Sequence, residues 1–161
     1  MSQQNWPDIS GRIIDDENGR RHVLPVRVYF EDTDAGGIVY HASYVRYCER
    51  GRTDFLRLSG VDARRLIDGS QSSEPAVFVV RRMTLDFKRP ARMDELLQVE
   101  TRVRELGGAS VTLDQAVTRD GVAIFEATVT VVLVAVSGKP LRLGSVVREG
   151  LLPCPKAKPA D

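Results

Sequence analysis

The spacing of hydrophobic and polar positions changes character along this chain, and each change marks an element. Val26, Val28 and Phe30 alternate with Arg27 and Tyr29, the period of two expected of a half-buried strand. Over residues 43–58 the period lengthens. Tyr44, Tyr47, Cys48, Gly51, Phe55 and Leu58 recur at three- and four-residue spacings, while Arg46, Glu49, Arg50 and Arg57 fall elsewhere, which predicts a helix with one apolar face. Gly51 within that face costs about 1 kcal/mol relative to alanine, so the pattern predicts another backbone packed closely against it. Gly60 marks the helix stop, and a second short helix is expected over residues 62–67.

After the polar loop at residues 68–75, a period of two returns and stays. Met83, Leu85 and Phe87 alternate with Thr84, Asp86 and Lys88. Leu97, Val99, Thr101 and Val103 alternate with Gln98, Glu100, Arg102 and Arg104. Gly107-Gly108 and Asp120-Gly121 turn the chain into two further strands, over residues 110–118 and 122–136. Residues 129–136 are apolar on both faces, so this last strand belongs in the middle of the sheet.

Residues 1–22 are polar and without sustained period, and read as an N-terminal extension. Residues 149–161, with Pro153, Pro155 and Pro159, read as a C-terminal tail. The expected organisation is a single domain over residues 23–148. One helix cannot cover both faces of so long a meander, so the sheet must wrap the helix, pair with another subunit, or both.

Composition narrows the class of function. With 161 residues, 42% of them hydrophobic, the chain can bury a core without metal or disulfide staples. A net charge of +1 gives no global field to attract nucleic acid or an anionic membrane. Cys48 and Cys154 lack partners at metal-binding spacing and read as free thiols. No basic start followed by an apolar run suggests secretion, and no window reaches the roughly 20 apolar residues of a membrane-spanning helix. The cytoplasm is the expected location, without stable membrane insertion.

The candidate chemistry is concentrated in Tyr29-Phe30-Glu31-Asp32-Thr33-Asp34-Ala35-Gly36-Gly37-Ile38-Val39-Tyr40-His41, where a strand leads through a glycine turn into the long helix. Acidic residues, glycines and one of only two histidines meet a helix N-terminus, whose first N–H groups lack intrahelical partners and favour an anion. Gly36 and Gly37 allow a sharp turn and close backbone approach to a substrate. An aspartate before a helix is often only a cap or turn residue, and that structural reading is kept for Asp32. His22, in the polar arm, is expected at the surface. Glu49 is expected to pair with Arg46 or Arg52 on the helix surface, the other reading being that it faces the site across a dimer, and Tyr40, Tyr44 and Tyr47 are expected to form core or pocket wall. No Gly-x-Ser-x-Gly elbow and no metal-ligand cluster occurs, which disfavours a serine hydrolase or metallohydrolase, and no cofactor is expected.

The run from Asp32 to Tyr44, followed by Glu49-Arg50-Gly51-Arg52-Thr53, resembles the signature of hot-dog-fold acyl-CoA thioesterases. It is most similar to the Tol-Pal-associated (YbgC-type) branch, relatives of the 4-hydroxybenzoyl-CoA thioesterases. The likeness extends from about Val26 to about Val136 and includes Phe78-Val79-Val80-Arg81-Arg82-Met83-Thr84 and Arg89-Pro90-Ala91-Arg92. The resemblance implies an α+β hot-dog fold, one long central helix wrapped by a curved antiparallel sheet. It also implies a homodimer or dimer of dimers with sites at the subunit boundary.

The family's catalytic acid falls on Asp34, as general base or nucleophile, and the branch's motif histidine on His41. Gly36, Gly37 and Tyr40 would line the substrate. Gly107-Gly108-Ala109 stands where relatives often carry a basic residue near the nucleotide end of CoA, which leaves Arg81, Arg82, Lys88, Arg89 and Arg92 to supply that charge. Two alternatives stay open: a hot-dog dehydratase or hydratase, and a protein that docks acyl carrier protein through the Arg81, Arg82, Lys88 and Arg89 patch.

Overall fold

The computed structural model describes residues 9–152. Six strands form one antiparallel sheet: β1 (Arg12–Asp16), β2 (Gly19–Arg27), β3 (Ala76–Phe87), β4 (Leu96–Leu106), β5 (Ser110–Arg119) and β6 (Val122–Ala135), in the spatial order β1-β2-β4-β5-β6-β3. The helix α1 (His41–Leu58) packs on β2, β4 and β5. The short α2 (Ala63–Ile67) leans on β3, and α3 (Ser145–Leu151) closes the described chain.

The meander follows the period-two segments closely. β6 lies between β5 and β3, and Phe125, Val129 and Leu133 on its inner face are sealed from solvent. In the β3–β6 ladder Phe87 faces Phe125 and Phe78 faces Leu133, with a bulge between Val80 and Arg82. β3 leaves one edge unpaired, and Val77, Val79 and Val80 are exposed along it.

The helix begins at His41, and Gly60, with φ +83°, ends its C-terminal turn as expected. Asp62 caps α2 by accepting the Arg64 N–H. Gly51 does permit close packing, but against side chains: a Cβ there would lie 2.7 Å from Val99 Cγ1 and 3.3 Å from Thr101 Oγ1.

Two expectations are corrected. Residues 12–22 are not a structureless arm, because β1 and β2 form a hairpin whose register pairs Arg12 with Val23 and Ile14 with Arg21, and β2 in turn pairs with β4. His22 is not at the surface. It is fully buried, and its Nε2 donates to Asp54 Oδ2 at 2.6 Å. Asp54 also accepts the Gly11 N–H at 2.7 Å and an ion pair from Arg57, so the hairpin is fastened to the second half of α1. At the other end, α3 covers residues 145–151 of the region read as domain end and tail. Residues 153–161 of the expected tail, Cys154 among them, lie outside the described residues.

Candidate active site

The turn before α1 is built by short-range hydrogen bonds that its sequence provides. A single turn of 3-10 helix runs over Phe30–Asp32, and the buried Asp32 carboxylate accepts the Tyr29 N–H at 2.8 Å. The Asp32 carbonyl takes the Tyr40 N–H at 2.8 Å and the Ser43 hydroxyl at 3.1 Å. Asp32 therefore holds the base of the loop, in agreement with its structural reading.

Above that base, Asp34 and Ile38 are joined by an N–H to carbonyl bond of 2.9 Å, and Gly37 turns the chain with φ +75°. Asp34 Oδ1 accepts the Gly36 N–H at 2.8 Å, an Asx turn. That bond fixes the carboxylate at the exposed tip, while its second oxygen has no donor among the described residues.

α1 opens immediately afterwards. Tyr40 is its N-cap and supplies no side-chain cap. The Ser43 N–H is taken by the Tyr40 carbonyl at 2.8 Å, whereas the His41 and Ala42 N–H groups meet no acceptor among the described residues. Two unpaired donors and the positive end of an 18-residue helix thus stand beside the Asp34 turn. The His41 ring is exposed, 4.3 Å between centroids from Tyr40 and 6.3 Å from Phe87, which it meets edge-on. Phe87 continues into a cluster with Tyr44 and Phe125, so the apolar core reaches the surface at this point.

A second loop, between β3 and β4, is clamped onto the helix start. Ala91 is fully buried. Its carbonyl accepts the Val39 N–H at 2.9 Å and its N–H donates to the Tyr44 hydroxyl at 3.2 Å. Burial pushes the Tyr44 hydroxyl above its ordinary pKa, so it stays protonated. This loop carries Lys88, Arg89 and Arg92 towards the site. Lys88 is ion-paired with Glu126, while Arg89 makes no ion pair among the described residues.

Among the expected site residues, Asp34, Gly36, Gly37, Tyr40 and His41 share one loop and helix start, and Arg89 lies in the loop docked on it. Arg81 and Arg82 are not gathered there. They sit at the β3 bulge beside Thr130, five and six residues before Phe87, about 16–20 Å away along an extended strand. Glu49 does not pair with Arg46 or Arg52, and accepts the Thr53 hydroxyl at 2.7 Å instead. The Gly107–Ala109 turn does receive a guanidinium, because Arg148 of α3 donates to the Gly107 carbonyl at 2.9 Å. The contact of Ala91 with Tyr44, a residue expected in the core or pocket wall, is not legible in the sequence, since it spans 47 positions and carries no local signal.

The arrangement suits a reaction in which negative charge develops on a carbonyl oxygen beside an activated water or carboxylate. Comparison with known proteins bears on the family rather than on these residues. The thioesterase superfamily model matches residues 36–126. The acyl-CoA thioesterase YbgC of Haemophilus influenzae is 43% identical over 111 residues, 69% of this chain and 79% of that protein. The acyl-CoA thioester hydrolase YbgC of Escherichia coli is likewise 43% identical over 111 residues, 68% of this chain and 79% of that protein. Among solved structures, a probable thioesterase from Bartonella henselae superposes with TM-score 0.74 at 40% identity, covering 77% of this chain and 99% of that one. The gentisyl-coenzyme A thioesterase BH1999 superposes with TM-score 0.72 at 27% identity, covering 80% and 98%.

Proposed function

Because this chain belongs to the thioesterase superfamily and has the hot-dog fold, we propose that it hydrolyses acyl-CoA thioesters with Asp34 as the reacting carboxylate and the start of α1 as the oxyanion site. Water adds its oxygen to the thioester carbonyl, the C–S bond breaks, and the products are a carboxylate and CoA thiol. The observation that carries this reading is the Asp34 carboxylate, fixed through one oxygen at an exposed tip, next to a helix N-terminus with unpaired N–H groups.

The division of labour follows from the chemistry of a thioester. CoA thiolate leaves readily, so activation of the incoming oxygen and stabilisation of the oxyanion are the main needs. Asp34 meets the first by taking a proton from water or by attacking the carbonyl itself to give a mixed anhydride. The His41 and Ala42 N–H groups meet the second. Loss of one such donor in other enzymes costs about 2.7–4 kcal/mol. The exposed His41 imidazole orients the thioester and returns a proton to the sulfur, and Tyr40 and Phe87 form the wall on which the acyl group lies.

Arg81, Arg82 and Arg89, which make no ion pair among the described residues, are the groups available for the anionic carrier, whether CoA phosphates or an acyl carrier protein. The unpaired edge of β3, with its exposed valines, supports pairing of two copies into one continuous sheet, and a pair of such dimers. No helix among the described residues is long and apolar enough to cross a membrane. We place the enzyme in the cytoplasm on that reading, with a role beside the Tol-Pal system as in the branch it resembles.

The test is thiol release from a panel of short, long and aromatic acyl-CoAs, run in parallel with crotonyl and 3-hydroxyacyl thioesters. Turnover with stoichiometric thiol supports hydrolysis. A change in enoyl absorbance without thiol would overturn it in favour of a dehydratase.

A further inference from the structure

Arg119, the last residue of β5, reaches the loop between β3 and β4, residues 88–95, and holds it at two places. Its Nη1 donates to the Pro90 carbonyl at 3.1 Å and to Glu95 Oε2 at 2.7 Å. The same Glu95 oxygen accepts the Arg92 N–H at 3.0 Å. One guanidinium nitrogen and one carboxylate oxygen thus tie Pro90, Arg92 and Glu95 to the end of β5. An isolated ion pair with both side chains 30% exposed would contribute little to stability. Here each partner also bonds to backbone, so the pair closes the loop on itself.

Both ends of the loop are anchored. At the β4 end the Val28 N–H donates to the Glu95 carbonyl at 3.0 Å, the Asp94 N–H to the Val28 carbonyl at 2.9 Å, and Arg27 Nη1 to the Asp94 carbonyl at 2.7 Å. Asp94 stands at φ +66°, a conformation that residues with a Cβ seldom adopt and that the surrounding bonds must maintain. At the β3 end the Lys88 and Arg89 N–H groups both donate to the Ile124 carbonyl, at 2.9 and 3.1 Å. Between these anchors, Ala91 makes the two bonds to Val39 and Tyr44 that meet the start of α1. Pro90 has no N–H, so its carbonyl is its one polar backbone group, and Arg119 takes it one residue before Ala91.

We propose that Arg119 is a positioning residue for the thioester reaction: through Pro90 and Glu95 it sets the β3–β4 loop so that Ala91 closes on the start of α1 and Arg89 faces the anionic carrier. The inference rests on the function proposed above. Arg119 holds no reacting atom and acts only through the loop. Its effect falls on carrier binding more than on the chemical step. The helix start that offers the His41 and Ala42 N–H groups is also held by Asp32, whose carbonyl takes the Tyr40 N–H and the Ser43 hydroxyl, and Arg119 enters neither bond. A lysine at this position keeps the charge for Glu95 but lacks the planar fork of a guanidinium, so it should restore the loop in part.

The experiment combines amide hydrogen exchange, resolved by NMR on the full chain, with steady-state thiol release for the wild type, Arg119→Met, Arg119→Lys and Glu95→Gln. Arg119→Met should speed exchange of the Val39 and Ala91 N–H groups at least fivefold and leave Val99 and Leu113 within twofold. It should raise KM for acyl-CoA at least fivefold with kcat within threefold of the wild type. Arg119→Lys should bring both effects to within threefold of the wild type. Glu95→Gln, which keeps an acceptor for the Arg92 N–H but loses the charge, should shift exchange and KM in the same direction as Arg119→Met. Unchanged exchange at Ala91 in Arg119→Met, faster exchange throughout the sheet, a fall in kcat at constant KM, or no rescue by lysine would each overturn the proposal. A wild type that releases no thiol from any acyl-CoA would overturn the proposed function and the catalytic part of this inference, while the exchange rates still decide whether Arg119 holds the loop.

Discussion

The Ala91 backbone N–H donates to the Tyr44 hydroxyl at 3.2 Å, joining the β3–β4 loop to the first turn of α1 across 47 positions of sequence. Through this bond and the Val39 to Ala91 bond beside it, the loop that carries Arg89 is held against the helix start that carries His41.

Removing the hydroxyl therefore strands a buried donor. Tyr44→Phe should lower stability by about 1–3 kcal/mol, the cost of leaving a buried backbone N–H unpaired. It should also raise KM for acyl-CoA more than it lowers kcat, because the displaced loop carries Arg89, one of the groups proposed to bind the carrier. Urea unfolding and steady-state kinetics check both, and an unchanged KM would separate the loop from substrate binding.

His22 makes stability depend on pH. Burial lowers its pKa below the ordinary 6.5, and this outweighs the opposing pull of Asp54, while Arg57 adds to the lowering. The unfolded chain then binds the proton more readily than the folded one, so this contribution is complete above about pH 6.5 and is lost as pH falls through the lower folded value. Urea midpoints should drop between pH 7.5 and 5.5. In His22→Gln, which cannot titrate, that part of the drop should vanish.

Gly51→Ala should destabilise the protein despite the better helix propensity of alanine. The new methyl would lie 2.7 Å from Cγ1 of Val99, a stiff and fully buried side chain. Overpacking of about 1–3 kcal/mol exceeds the roughly 1 kcal/mol gained from removing glycine. A fall in melting temperature checks the sign.

Cys48 should be inert in the native state. It is sealed at the interface of α1 with the sheet, and burial pushes its thiol up to about 12. In a Cys154→Ser background, a thiol reagent at pH 8 should label no cysteine until denaturant is added. Rapid labelling of the folded protein would contradict the packing.

Much of this fold was legible because most strands bury one face and α1 shows one apolar stripe. The hairpin of β1 and β2 was not, for a specific reason. β1 is an exposed edge strand, and the inward position at β2 is His22, matched to an equally buried Thr101 on β4. Polar residues facing inward erase the period that marks a strand. The same cause hid Arg52 and Asp54. They flank the apolar stripe of α1 on its two sides, and the sheet curls far enough around the helix to bury both, so that each takes a long-range partner. The candidate site itself was legible as a local density of acid, glycine and histidine, since one loop supplies nearly all of it. The clamp through Ala91 and the distance of Arg81 and Arg82 from that loop depend on tertiary structure alone.

The central claim is that the Asp34 carboxylate does the chemistry of thioester hydrolysis. Free thiol release should be measured for the wild type and for Asp34→Asn, which keeps an oxygen to accept the Gly36 N–H, on the acyl-CoA that the wild type turns over best. With fold and oligomeric size unchanged, the variant should lose kcat by about 100-fold or more, the scale of general acid–base catalysis. A folded Asp34→Asn protein that releases thiol within a few-fold of the wild-type rate would contradict the account and leave Asp34 as no more than the residue that makes the turn.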